Sequence, residues 1–350
     1  MKKFISIICW YHKQIFSFTK EQNYHMLPLK AMKEEWYECT IFSIDASVKI
    51  EDDPNFIKWI KVIYYKNIFQ YLKFLLKNRN ELIYSNTLTI KTLLVWLIWK
   101  RTVFIPHDLI FWWNKLKSIV IHFFYKFFTK IRLNNNKEVE AVNKIKKNLW
   151  VRIPLVVSWD FFNPDFQFWN DNIFVSLWNL TKKKHPEVIL EALKIVKDKW
   201  YDFKLKVVWE DRLKEYCDYS YEDLLNKHWL RNYVDVIWFV PHTDLSKVCK
   251  WACCYLNAST QEWLCLAVYE STLMWMATIL PNILSFDWVF GDNGLYYKSW
   301  DVNDFANKIM YFLDHRDDFI EKIKNNQQKI LKEYNYDTIK QQLKDLFLSL

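Results

Sequence analysis

The sequence predicts an α/β protein of two domains, each built on a parallel sheet. Three observations predict this. The chain has 350 residues, more than one hydrophobic core usually serves. Short apolar runs of strand length alternate with helix-period segments through both halves. The alternation breaks near 155–170, where Phe161-Phe162-Asn163-Pro164-Asp165-Phe166 reads as a linker.

The elements follow in order. Residues 4–9, FISIIC, form a continuous apolar run, as a strand buried on both faces requires. A helix is expected near 21–35, then strands at 38–44 and 61–65 and a helix near 67–78. ELIYSN (81–86) and RTVFIPHD (101–108) follow as strands, then a long helix near 114–133 and a polar turn at 132–140. The second half repeats the alternation, with strands at 172–178, 203–209, 234–240, 253–259 and 277–281 and helices at 185–198, 220–228 and 265–274. The expected division is 1–160, 161–330, and a C-terminal helix within 331–350 that packs back towards the first domain.

Composition carries an anomaly. The chain has 2 Gly and 20 Trp, whereas average usage gives about 25 Gly in this length. Trp36, Trp150, Trp200 and Trp229 each follow a helix-like stretch, at the position where a left-handed residue, usually Gly, ends a helix. Trp209 stands where a strand turns into a loop. A bulky side chain in the left-handed region costs roughly 1–2 kcal/mol. Most of these Trp are therefore read as glycines of the cellular protein, encoded by a UGA codon that some bacterial lineages assign to Gly. A truly Trp-rich surface lectin is the competing reading, and TGG codons would favour it.

The net charge of +9 suits a polyphosphate ligand or an anionic membrane surface. Seven Cys, an odd number without a C-x-x-C pair, read as reduced thiols of a cytoplasmic protein. The start, MKKFISIICW, has too short an apolar run for a signal peptide, and TLLVWLIW at 92–99 cannot span a bilayer. KLKSIVIHFFYKFFTKI (115–131) mixes aromatic and basic residues, as would suit peripheral contact at the inner face of a membrane. A helix packed on a sheet gives the same pattern. No nucleic-acid partner is expected.

The chemistry concentrates at Ser259-Thr-Gln-Glu262-Trp263-Leu264-Cys265-Leu-Ala-Val-Tyr-Glu270. Glu262 falls on a loop at the carboxyl end of a strand, where open α/β sheets bind ligands. Residues 263–266 open a helix whose free N–H groups favour an anionic group, and Gly at 263 would let a ligand approach the backbone. Glu270 lies two turns on. With Gly at 263 and 275 the segment reads STQEGLCLAVYESTLMGMATILP. It closely resembles the Glu-x7-Glu signature of the retaining glycosyltransferases that include glycogen and sucrose synthases (glycosyl transferases group 1).

Further stretches resemble the same family. VSLWNLTKKKHPEVILEAL (175–193) matches its strand–Gly–Arg–Leu–x3–Lys–helix pattern, VVWEDR (207–212) its Val-Val-Gly-Glu turn, and VDVIWFVPHTDL (234–245) the segment beside the nucleotide base. NGLYYKSWDVNDFANKI (293–309) matches a later Gly-Leu loop and its helix. The fit is good over 172–312 and weaker over 1–160. The resemblance implies the GT-B fold: two Rossmann-like domains with parallel sheets facing across a cleft. It implies a nucleotide-diphosphate sugar donor and a glycan or lipid-linked acceptor, as in cell-envelope polysaccharide synthesis, with no cofactor and no metal. No Asp-x-Asp metal clamp occurs in the sequence.

Roles are carried over residue by residue. Lys184 matches the Lys that holds the pyrophosphate, Glu270 the acid that accepts hydrogen bonds from the ribose, and Glu262 the acid beside the reacting sugar. Trp263, Leu264 and Cys265 stand where backbone amides meet the diphosphate. Trp10, as Gly, stands at the turn after the first strand, and His107 matches the His facing the donor sugar. Asn179 replaces the family's Arg, which halves the expected cationic clamp unless Lys182 or Lys183 swings in. That departure leaves open a non-catalytic nucleotide-sugar-binding homologue; a nucleotide-sugar isomerase of the same fold is the other alternative.

Overall fold

The computed structural model describes residues 2–8, 26–44, 49–52, 57–85, 101–104, 129–133, 139, 150–157, 161–162, 171–177, 182–208, 213–215, 217–237, 240–241, 244–260, 262, 265–283, 286 and 290–350. The chain divides into two compact units, Val157–Glu333 and a discontinuous one made of Met1–Val156 with Tyr334–Leu350.

In the first unit seven described strands form one parallel sheet: β1 (Lys3–Ile8), β2 (Glu38–Ile44), β3 (Lys61–Tyr65), β4 (Leu82–Ser85), β5 (Thr102–Phe104), β6 (Lys130–Leu133) and β7 (Trp150–Arg152). The order is β3-β2-β1-β4-β5-β6-β7. Phe4 through Ile7 are all buried, as an apolar run at the sheet centre demands. Helix α2 (Ile68–Lys77) buries Tyr71 and Leu75, and the Phe74 ring stacks on Phe42 at 3.8 Å. Asn67 caps it, its side chain accepting from the Gln70 amide at 3.0 Å.

Helix α1 (Met26–Glu34) is joined by the C-terminal helix, α9 (Tyr336–Leu348). Phe347 packs its ring 4.8 Å from Phe4 and 5.6 Å from Tyr84, so the last helix closes the core around the first strand. Lys340 and Lys344 reach Glu34 at 3.0 and 2.6 Å. The expected helix near 114–133 overruns: its last residues are strand β6. Pairing with β5 and β7 overrides the helical pattern there. Arg132 is buried in that strand because it finds acceptors, the Ile153 and Pro154 carbonyls at 2.6 and 2.5 Å and the Tyr84 hydroxyl at 3.1 Å.

In the second unit the described strands are β8 (Ile173–Leu177), β9 (Lys204–Val208), β10 (Val234–Ile237), β11 (Cys254–Leu256), β12 (Ala277–Pro281) and β13 (Leu295–Tyr297). They are parallel, in the order β10-β9-β8-β11-β12-β13. Helices α3 (Pro186–Asp198), α4 (Tyr221–Lys227), α5 (Leu245–Val248), α6 (Leu266–Leu273), α7 (Val302–Asp314) and α8 (Asp318–Glu333) belong to this unit. Pro186 opens α3, where its missing N–H costs nothing, and Val188, Ile189, Ala192, Leu193 and Val196 face the core. Ser220 and Asp223 form a reciprocal capping box on α4. Gln327 of α8 donates to the Thr272 carbonyl at the end of α6, at 2.9 Å.

Seven non-glycine residues among those described have left-handed backbones, and six are Trp: 36, 200, 229, 251, 275 and 300; the seventh is His185. Four of the Trp end helices in one pattern. After α1 the Trp36 amide donates to Lys33 and the Tyr37 amide to Met32; after α3 Trp200 donates to Lys197 and Tyr201 to Val196. After α4 Trp229 donates to Asn226 and Leu230 to Leu225; after α6 Trp275 donates to Thr272 and Met276 to Ser271. This paired bonding is the Schellman motif, whose left-handed position is normally Gly. Trp251 and Trp300 take the third place of four-residue turns closed by Ala252 to Cys249 and Asp301 to Lys298, again a glycine position. Trp200 is 95% exposed and Trp36 85%, so no packing offsets the strain. Trp150 differs from the expectation: it is the first residue of β7, buried, and not left-handed. Pairing with Ile131 of β6 draws it into the sheet. Trp209 lies outside the described residues.

Candidate functional site

The strand order of the second sheet reverses at β8, which has β9 on one side and β11 on the other. Loops leaving the carboxyl ends of such strands diverge and open a crevice. Lys184 ends a short 3-10 turn after β8, and Glu262 follows β11. The Lys184 ammonium donates to a Glu262 carboxylate oxygen, in an ion pair whose side chains are only 11% and 9% exposed. Two residues 78 positions apart are thus brought together at the reversal point.

A buried polar chain sets the loop that carries Glu262. Asn257 is fully buried; its side-chain oxygen accepts from the Ser259 amide at 2.8 Å and its amide donates to the Tyr255 hydroxyl at 3.1 Å. The Tyr297 hydroxyl donates to the Asn257 carbonyl at 3.0 Å, tying β13 to the same turn. Sequence reasoning missed Asn257, Tyr255 and Tyr297. The signal available was a Tyr in each of two short strands and an Asn just past one of them, polar groups that need partners when buried.

Helix α6 begins at Leu266, later than expected, with Cys265 extended at its N-cap position. The Cys265 side chain makes no capping hydrogen bond and the Val268 amide turns back to the Cys265 carbonyl at 3.0 Å; a helix N-terminus of this kind favours an anion. Burial first, and then the Glu262 charge, hold the Cys265 thiol well above the ordinary range, with Lys184 pulling the other way. Burial and the adjacent Cys265 likewise raise the Tyr255 phenol. Cys265 is therefore a neutral thiol within electrostatic reach of both members of the pair. Glu270 is buried in the second turn of α6, and its charge is felt by the Cys249 thiol after α5.

His185, next to Lys184, is the one left-handed non-glycine residue among those described that is not Trp. Its ring Nδ1 lies 2.8 Å from Glu187, and its ring meets Trp300 edge-on at 4.0 Å. Trp10, His107, Asn179, Trp263 and Leu264 lie outside the described residues, and so does the body of the expected helix near 114–133. Among the described residues no group of three His, Cys, Asp or Glu could hold a metal ion, and no helix is long and apolar enough to cross a membrane.

Residues 159–330 match the family described as glycosyl transferases group 1. No curated protein sequence matches the chain. Among solved structures the chain is similar to HepE of Anabaena in complex with UDP-glucose, at 13% identity and a TM-score of 0.76, covering 100% of both chains. It is also similar to a glycosyltransferase from Rickettsia africae, with 16% identity, TM-score 0.74, and 99% and 98% of the two chains covered. A sucrose-phosphate synthase from Thermosynechococcus elongatus gives 15%, 0.74, and 100% and 99%. These likenesses show the fold: two parallel-sheet Rossmann-like α/β domains of the GT-B type. The part of the chain that is similar to the glycosyl transferases group 1 domain is residues 159–330.

Proposed function

We propose, for a chain with this similarity within a GT-B fold, that it transfers a sugar from a nucleotide-diphosphate donor to a glycan or lipid-linked acceptor hydroxyl, with retention at the anomeric carbon. The observation that carries this reading is the Lys184–Glu262 pair beside the start of α6. A cation, an acid and a helix N-terminus at a sheet reversal are what a sugar diphosphate needs. HepE has been solved in complex with UDP and glucose, so uridine diphosphate sugars are the first donors to try.

In this reading Lys184 leaves Glu262 to meet the diphosphate, and the α6 amides offset the remaining charge. Glu262 then faces the donor sugar, and Glu270 accepts from the ribose hydroxyls. The bond from the anomeric carbon to phosphate oxygen breaks as the acceptor oxygen attacks on the same face. The acceptor proton passes to the departing phosphate oxygen. With the leaving group neutralised by Lys184 and the helix, transfer proceeds without a divalent ion, and a chelator leaves the rate unchanged.

The reading includes glycine at the left-handed Trp positions and at 263, where an indole would fill the space the diphosphate needs. The four Schellman endings and two glycine-type turns support it. The gene decides the point, since TGG codons at these positions would end it. Function is tested on the chain made with Gly at those sites. A matching nucleotide sugar at a hundred times its Kd stabilises the protein by about 2.7 kcal/mol, and labelled sugar then moves to acceptor. Binding without transfer, or a Glu270→Ala variant with full activity, overturns the assignment.

A further inference from the structure

From 57 to 80 the chain contains Lys58, Lys61, Lys66, Lys73, Lys77 and Arg79 and no acidic residue. All six cations are exposed. This stretch builds β3, at the edge of the first sheet, and α2. Helix α2 spends Tyr71 and Leu75 on the core, yet it is apolar on its outer side as well. Phe69 is 78% exposed and Leu76, two turns further on, 57%. Leu72 lies between them, half-buried. Lys73 and Lys77 border this stripe on the flank opposite Leu72.

A water-facing helix normally reserves its outer pole for polar groups. Here apolar rings and branches stand at that pole, edged by lysines, with no carboxylate in the segment to balance them. A protein partner that covered Phe69 and Leu76 would also have to neutralise this charge. An anionic lipid surface does both, accepting the apolar stripe between its headgroups and the cations at its phosphates. We propose that α2 is a docking surface for an anionic bilayer, holding the chain peripherally by insertion of Phe69 and Leu76 and attraction through Lys73 and Lys77. The surface is distinct from the 114–133 segment that the sequence alone suggests for this role.

The experiment is co-sedimentation of the full chain with vesicles, read without donor, so that its failure leaves the transferase reading untouched. Wild type binds equimolar phosphatidylcholine–phosphatidylglycerol vesicles, ignores phosphatidylcholine alone, and loses affinity as salt rises. K73Q/K77Q weakens binding on the order of twentyfold, from about fivefold per cation near an anionic surface. F69S/L76S, whose changes lie at exposed positions and keep the fold, weakens it at least tenfold at the same salt. The proposal is overturned if wild type ignores the anionic vesicles, or if F69S/L76S binds them undiminished. It is equally overturned if the chain is a dimer that F69S/L76S makes monomeric, since a second copy then covers the stripe. Retention on an anionic polymer such as heparin that matches vesicle binding in strength and is insensitive to F69S/L76S overturns it as well.

Discussion

Both sheets reverse their strand order beside the first strand of their unit, at β1 between β2 and β4 and at β8 between β9 and β11. The described residues at the two reversal points differ. In the first, Ser6, Ser43 and Ser85 bury small hydroxyls with no hydrogen-bond partner among the described residues. In the second stand a nearly buried ion pair and a connected set of buried polar groups through Tyr255, Asn257 and Tyr297. At the second reversal the residues just past the ends of the apolar strands bring a charged pair together, where an open sheet binds its ligand.

The widest expected contrast comes from substituting at each reversal. Lys184→Ala or Glu262→Ala breaks a nearly buried ion pair and costs about 3 kcal/mol of stability, and each lowers transfer about 10²–10³-fold. The double variant costs less than the sum, because it removes both charges. Ser85→Ala, which deletes a hydroxyl with no partner among the described residues, changes stability by no more than about 0.5 kcal/mol. Chemical denaturation of the four proteins checks this, and equal losses at the two sites would break the comparison.

A second contrast concerns the left-handed tryptophans, five of which lie in the second unit and one, Trp36, in the first. At the well-exposed Trp36, Trp200 and Trp229 each change to Gly stabilises its unit by roughly 1–2 kcal/mol, with a smaller gain at Trp275, which packs on the core, so the gain falls mainly on the second. At Trp150, extended and buried, the same change instead costs about 3 kcal/mol. Melting curves of the single variants separate the two classes, and a gain at Trp150 would show that the left-handed geometry is not the cause.

The third contrast is alkaline. Burial pushes the thiols of Cys249 and Cys253 up to about 12 and those of Cys254 and Cys265 higher than ordinary, all in the second unit. In the first unit Cys39 is likewise raised to about 12. As pH climbs past the ordinary thiol value of about 8.5, the unfolded chain releases protons that the folded chain keeps, so stability falls. The fall continues to about pH 12 and is steeper for the second unit. Hydrogen exchange resolved by unit across this range measures it, and parallel slopes would contradict it.

Much of this architecture is legible in the sequence for physical reasons. Parallel strands buried on both faces read as unbroken apolar runs, which is why 4–9, 38–44 and 277–281 fall within a few residues of the observed strands. The helix ends at Trp36, Trp200 and Trp229 can be located because a left-handed terminus needs a particular backbone, whatever letter stands there. β6 is not legible: Lys130-Ile131-Arg132-Leu133 continues the preceding helical pattern, and only its neighbours and the acceptors around Arg132 make it a strand. Motif context picks out Glu262 and Lys184 but not their mutual contact, since nothing local links positions 78 apart. The role of Asn257 stays hidden for the same reason, its partners being supplied by different stretches of chain.

Helix α9 belongs to the first unit although it follows the second in the chain. During synthesis the second unit has all its residues before the first does, and Phe4 and Tyr84 wait without Phe347 until α9 has left the ribosome. A chain cut after Glu333 therefore keeps Lys184, Glu262 and Glu270 in their own unit, yet uncovers the oldest strand of the molecule, and quality-control proteases should meet it there first.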